Sequence, residues 1–280
     1  MPAAFSRLFG FLHRMTRSAL IIWKGGIGLH IEIDHVSMTY QAPDGEVEAL
    51  RDVCFSVEDK SFVSIVGPSG CGKSTLLSIL AGLEQPTDGE IRLDGAPIRG
   101  PSEKIGFMPQ RDQLFEWRSI WRNVLLGPEV RGDNTKERWD MVRTLLSDYA
   151  LYAFRDSAPS QLSGGMRQRC ALIRTLALEP GVLLLDEPFS ALDYQTRLAV
   201  SADIARIIKQ KGKTAVLVTH DISEAISMSD RIVVLSHRPG TVRAIHDLTN
   251  LQDTSPMERR GSPAFQKLFN QIWEELDVNV

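Results

Sequence analysis

The chain has 280 residues, of which 43% are hydrophobic and 24% charged, with a formal net charge of −3. That balance belongs to a globular chain with an ordinary core, and the mild acidity argues against nucleic acid as the main partner. Cys54, Cys71 and Cys170 are too few and too scattered for a disulfide framework or a zinc site, which fits a reduced, cytosolic compartment; no stretch approaches the ~20 apolar residues of a membrane-spanning helix.

Residues 1–29 differ from the rest. They carry Arg7, Arg14, Arg17 and Lys24 and no acid, so the negative balance lies entirely in residues 30–280. Phe5, Leu8, Phe9, Leu12, Met15 and Ala19 fall at helical spacing opposite the arginines, a pattern suited to a short helix on an anionic bilayer. A frayed leader and an extension upstream of a start at Met15 are the competing readings.

Alternation at His30–Ile33 and Val36–Tyr40 predicts strands, and Pro43-Asp44-Gly45 a turn. Phe62–Val66 is a short β-branched run that reads as a buried strand. It leads into Gly67-Pro68-Ser69-Gly70-Cys71-Gly72-Lys73-Ser74 and then a helical Thr75–Leu83. Asp88-Gly89 and Asp94-Gly95 bracket a strand, Glu90–Leu93, with hairpin turns expected at both. From Gln110 to about Leu162 the composition shifts to Arg, Trp and Leu, and Lys136–Leu151 has helical spacing, which predicts a mainly helical insertion over about 111–165. Helices are then expected at Met166–Leu178, Tyr194–Gln210 and Ser223–Met228, alternating with strands Val182–Leu185, Ala215–Thr219 and Arg231–Leu235. Such alternation predicts a largely parallel sheet covered on both faces. After residue 247, Ser262-Pro263 starts a helix whose Phe265, Leu268, Phe269, Ile272, Trp273 and Leu276 share one face, suited to docking on its own domain.

Two segments carry chemistry. Gly67-x-x-x-x-Gly72-Lys73-Ser74, between a strand and a helix, is a phosphate-binding loop: its glycines let the backbone wrap, and the helix offers its positive end. Lys73 would neutralise the β- and γ-phosphates and the Ser74 hydroxyl would hold Mg²⁺. Val182–Leu185 then deliver Asp186 and Glu187 to a strand end, where Asp186 would reach Mg²⁺ and Glu187 would take a proton from an attacking water. Cys71, at a helix N-terminus, is expected to have a lowered thiol pKa.

Leu162-Ser163-Gly164-Gly165-Met166, followed by Arg167-Gln168-Arg169, resembles the signature motif of ABC ATPases. The resemblance covers residues 30 to about 247 and implies an α/β P-loop NTPase core with an antiparallel β edge and a helical subdomain. It implies that Ser163, Gly164 and Gly165 contact the γ-phosphate held by an opposing subunit, so that the active unit is a head-to-tail dimer. It also implies roles for Tyr40 (stacking on adenine), Gln110 (Mg²⁺ and the attacking water), Asp193 in Ser190-Ala191-Leu192-Asp193 (communication across the dimer) and His220 (γ-phosphate), with Thr75 completing the nucleotide loop. ATP is the implied substrate, with Mg²⁺.

Residues 75–161 hold neither sustained heptads nor a cysteine cluster, which separates the chain from DNA-repair and chromosome relatives; a single cassette separates it from translation factors. Gln113–Val124, with Trp117, Trp121 and Asn123-Val124, resembles the region after the Q-loop in the nitrate/sulfonate/taurine importer family, although Glu116 stands where that family usually has Pro. The residues after 247 are too few for the regulatory β-domain of sugar-type import ATPases. The resemblance implies an importer motor for small solutes, nitrate-, sulfonate- or taurine-like anions first and pyrimidine or vitamin precursors as the alternative. It would sit on the cytoplasmic face of the inner membrane, bound to permease subunits and indirectly served by a solute-binding protein.

Overall fold

A computed structural model describes residues 30–43, 45–251 and 255–277; the basic segment 1–29 lies outside them. Strands β1 (Ile31–Ala42) and β2 (Gly45–Val57) form a long antiparallel hairpin, followed by β3 (Phe62–Val66) and helix α1 (Lys73–Leu80). Next come β4 (Asp88–Leu93), β5 (Ala96–Pro97) and β6 (Ile105–Met108). Three helices, α2 (Ile120–Val124), α3 (Leu126–Val130) and α4 (Lys136–Asp148), then precede α5 (Gly164–Leu176). The remainder is β7 (Val182–Asp186), α6 (Tyr194–Gln210), β8 (Thr214–Thr219), α7 (Ile222–Met228), β9 (Arg231–Leu235), β10 (Val242–Asp247), α8 (Pro256–Arg260) and α9 (Pro263–Asp277).

Two sheets divide the work. One is antiparallel, in the order β2-β1-β4-β5; the other runs β10-β9-β3-β8-β7-β6 and is parallel except for its β10 edge. The buried strands alternate between two cores as a period of two requires. Val182, Leu184, Val216 and Val218 join α1 and the inner face of the antiparallel sheet, whereas Leu183, Leu185, Ala215 and Leu217 join α5, α6 and the helical segment. Helix α1 is thus held between the sheets, fixing the loop before it. A third cluster docks α9 through the fully buried Ile272, with Phe265, Leu268, Phe269 and Leu276 against it.

Several expectations shift in detail. Asp94-Gly95 makes the tight β4–β5 turn, both residues having positive φ (+55° and +76°), as a two-residue hairpin demands. Asp88-Gly89 instead lies inside β4, paired with β1. Strand β2 escapes sequence reading because Ala49 and Leu50 are both buried, which breaks its alternation where the pairing with β1 shifts register. Helix α5 begins at Gly164, two residues before the expected start, and α1 ends at Leu80. Trp273 is 55% exposed and stacks on Phe269 rather than completing the docked face. Among the described residues no helix is long and apolar enough to cross a membrane.

Candidate active site

The loop Gly67–Gly72 joins the C-terminal end of β3 to α1. Gly72 has φ +103°, and a Cβ there would lie 2.6 Å from Leu50 Cδ2 and 2.7 Å from the Ala49 carbonyl, so the turn admits only glycine. Lys73 is 6% exposed; its ammonium donates to the carbonyls of Gly67 and Pro68, each at 2.8 Å. The charge is thereby held inside the curl of the loop. Around it lies a cleft of about 330 Å³ lined by Tyr40, Val47, Ala49, Ser69, Gly70, Gly72, Lys73, Ser74, Thr75, Glu187 and Arg238.

Parallel pairing sets β7 two places from β3, across β8, and so brings its carboxylates to the same end. Ser74 Oγ donates to Asp186 Oδ1 at 3.2 Å. Burial, above all, pushes the Asp186 carboxyl above its ordinary range, and the Glu187 charge adds to this, while Ser74 and Lys73 oppose it. A hydroxyl and a carboxylate this close are hard oxygen donors of the kind that fits Mg²⁺.

Glu187 departs from strand geometry with φ +41°, a strained torsion for a residue with a side chain. Its Oε2 accepts a hydrogen bond from Gln110 Nε2 at 3.3 Å and lies 3.1 Å from His220 Nδ1. Strands β6, β7 and β8 therefore deliver Gln110, Glu187 and His220 to one point. A carboxylate with an amide and an imidazole beside it is an arrangement that can orient a water and take its proton.

Behind this point runs a network that sequence reasoning missed. Arg197 donates to the Leu192 carbonyl (3.0 Å) and to Asp221 Oδ2 (3.4 Å), and its Nε lies 3.8 Å from Glu224 Oε1. Glu224 in turn accepts from the Thr219 hydroxyl at 2.8 Å. Asp221 caps α7 by accepting from the amides of Ser223 and Glu224.

The structure separates the sequence-predicted residues into two groups. Tyr40 lines the cleft beside the phosphate loop; its hydroxyl donates to Glu84 and lies 3.4 Å from the Thr75 hydroxyl. Ser163, Gly164 and Gly165 do not line it. Ser163 caps α5 through the Met166 amide (3.4 Å), and it and Gly164 are exposed. Asp193, also exposed, caps α6 by accepting from the Thr196 amide. Cys71 is a correction: the thiol is fully buried, and burial pushes its pKa up despite the neighbouring Lys73. The helix terminus does not win because the cost of burying the thiolate outweighs the backbone hydrogen bonds and the Lys73 charge. Val47, Ala49 and Arg238 are cleft residues that no spacing rule singled out; the His-Arg-Pro-Gly punctuation at 237–240 was the available signal for the last.

A family model described as ABC transporter matches residues 50–190. The chain belongs to the ABC transporter ATPase family. It is 47% identical over 248 residues to an uncharacterized ABC transporter ATP-binding protein, YtlC, of Bacillus subtilis, covering 88% of this chain and 95% of the relative. It is 38% identical to the taurine import ATP-binding protein TauB of Jannaschia sp., covering 87% of this chain and 94% of TauB. It is also 38% identical to the aliphatic sulfonates import ATP-binding protein SsuB of Bacillus cereus, with coverage of 88% and 96%. The ATP-binding cassette MJ0796, solved as a dimer in a post-hydrolysis state bound to ADP and Pi, superposes with a TM-score of 0.68 at 33% identity, covering 78% of this chain and 98% of that one. This ABC ATPase therefore has the cassette fold, and hydrolysis of ATP is its reaction.

Proposed function

We propose that this ABC ATPase works as a head-to-tail pair and energises a membrane importer of small anions, with taurine- or sulfonate-like solutes foremost. One observation carries the pairing: Ser163 and Gly164 open helix α5 exposed to solvent, and such a helix N-terminus suits a phosphate from another molecule. The names of TauB and SsuB support the import reading, and the likeness to a dimeric cassette supports the pairing.

Hydrolysis follows from positioning and charge. Tyr40, Val47 and Ala49 offer a wall for adenine. Lys73 neutralises the β- and γ-phosphates from within the loop. Glu187 accepts a proton from the attacking water, which Gln110 and His220 orient. Mg²⁺, held by Ser74 and Asp186 with Gln110 nearby, would supply charge neutralisation on the phosphate oxygens. Ser163 and the backbone at 164–165 of a second copy would close the site, so that ATP contacts both copies only in the closed state.

The attachment to a permease is assigned to the segment around Trp117. That side chain is 79% exposed and stacks on Phe115 at 4.7 Å, whereas Trp121 packs into the core beside Trp139. Trp117→Ala is expected to lose permease binding with ATP hydrolysis by the free subunit intact. Transport itself is tested in proteoliposomes bearing the cognate permease, with a solute-binding protein supplied outside. Taurine or sulfonate uptake should require ATP and vanish with Lys73→Ala. Uptake of a different solute class only would sink the assignment of cargo.

A further inference from the structure

Strand β1 carries a second constellation, remote in role from ATP. Its pairing with β2 runs Ile33↔Phe55 and then Val36↔Val53, with a register shift between. Asp34 and His35 therefore stand opposite the single residue Cys54. Such a bulge re-aims side chains, and here it places an imidazole, a carboxylate and a thiol on one solvent-facing patch. One ligand atom from each of Asp34, His35 and Cys54 lies within 4.8 Å of the others.

The surroundings complete the arrangement. His35 has φ +51°, and Gly89 of β4 makes room for the distorted backbone: a Cβ there would lie 2.2 Å from the His35 carbonyl oxygen. Asp52 Oδ1 sits 2.5 Å from His35 Nδ1, which leaves Nε2 for another partner. That nitrogen is 3.9 Å from Asp34 Oδ1, while Arg92 approaches the other oxygen, Oδ2, at 3.8 Å. A carboxylate orienting a histidine whose far nitrogen lies near a further donor, the Asp34 carboxylate, is the second-sphere pattern of metal-bound imidazoles.

We propose that Asp34, His35 and Cys54 form a binding site for a borderline-soft divalent cation, Zn²⁺ foremost, with Asp52 as the carboxylate that orients His35. One nitrogen, one oxygen and one sulfur donor suit Zn²⁺ better than Mg²⁺ or Ca²⁺, and a water fills the fourth position. Binding forms the metal–thiolate bond and releases the Cys54 thiol proton to solvent. The sequence alone argued against zinc because it holds no cysteine cluster; a histidine, an aspartate and one cysteine about twenty positions away meet only through the bulge.

The test uses the whole metal-free chain without nucleotide, titrated with Co²⁺ as a spectroscopic probe. A near-ultraviolet thiolate-to-cobalt band saturating at one equivalent is expected, abolished in Cys54→Ser and kept in Cys71→Ser. Asp52→Asn should keep the band and weaken affinity about ten- to a hundred-fold. Zn²⁺ should protect Cys54 from alkylation and compete the cobalt band away; His35→Gln should abolish that protection. Absence of the band, a band surviving Cys54→Ser, or alkylation indifferent to Zn²⁺ would each overturn the proposal. Cys54 lines no part of the nucleotide cleft, so undiminished ATPase activity in Cys54→Ser separates loss of a ligand from loss of the fold.

Discussion

Asp186 and Glu187 are neighbours with different partners. The first bonds Ser74, and the second, turned by its positive φ, meets Gln110 and His220. Glu187→Gln keeps the shape and removes the proposed proton acceptor, so turnover should fall about a hundred-fold or more with ATP binding intact. Phosphate release beside nucleotide binding measures this, and turnover within a few-fold of the parent would remove Glu187 from the base role. Glu224 offers a pH signature. Burial, above all, pushes its carboxyl up to about 7; the Asp221 charge adds to this, while Thr219, Arg197 and His220 oppose it. An unfolded glutamate titrates near ~4.3, so between there and about pH 7 the folded chain holds a proton that the unfolded chain lacks. Stability from this group therefore falls as pH rises through that window. Glu224→Gln has no such cost, so its melting temperature should gain on the parent from pH 5 to pH 8. A difference independent of pH contradicts this. Glu187, Gln110 and His220 were legible because each is tied to a motif or a strand end. Glu224 was not: a glutamate four residues after a histidine reads as a solvated helix face until Thr219 and Arg197 are seen against it.

At the scale of elements, the edge of the cleft is tied together. The segment joining β9 to β10 is fastened to β2 by hydrogen bonds from the Gly240 amide to the Ala49 carbonyl (2.9 Å) and from the Arg51 amide to the Gly240 carbonyl (3.0 Å). A Cβ on Gly240 would lie 2.2 Å from the Cys71 carbonyl oxygen. Gly240→Ala must therefore displace the phosphate loop, and it should raise the KM for ATP by a larger factor than it lowers kcat. An unchanged KM would show that the loop yields elsewhere. Helix α5 is coupled to the segment after Gln110 in the same physical way. Arg167 reaches Asp112 (2.8 and 3.1 Å) and Glu116 (2.8 Å), and Arg174 donates to the carbonyls of Asp112 and Gln113 (both 2.7 Å). Burial works against the Asp112 charge, yet Arg167 and Arg174 hold its carboxyl below the ordinary range. Glu116, which departs from the importer pattern in sequence, thus has a partner in the signature helix. Of the parallel strands, β3, β7, β8 and β9 were readable because both faces are apolar, whereas β6, four residues long with Ile105 and Phe107 only half-buried, was not. Strands β2 and β10 were not, since one is broken by register shifts and in the other burial does not follow polarity, Ile245 being exposed and His246 half-buried.

At the scale of the molecule, the proposed pairing has one chain carry both halves of an ATP site, with the phosphate loop in its own cleft and Ser163 and Gly164 exposed at the start of α5. The fold explains the separation: the phosphate loop is fixed between the two sheets by α1, while Ser163 opens a helix that packs with α6 and the helical segment. The bond that would join the halves is ATP itself. The most direct measurement is the solution mass of Glu187→Gln with and without ATP, by light scattering. The mass should rise from 31.2 kDa to about twice that with ATP, stay at the monomer value with ADP, and stay there with ATP when Ser163→Arg is added. A mass that remains at one chain in saturating ATP, with nucleotide shown to be bound, would contradict the shared site.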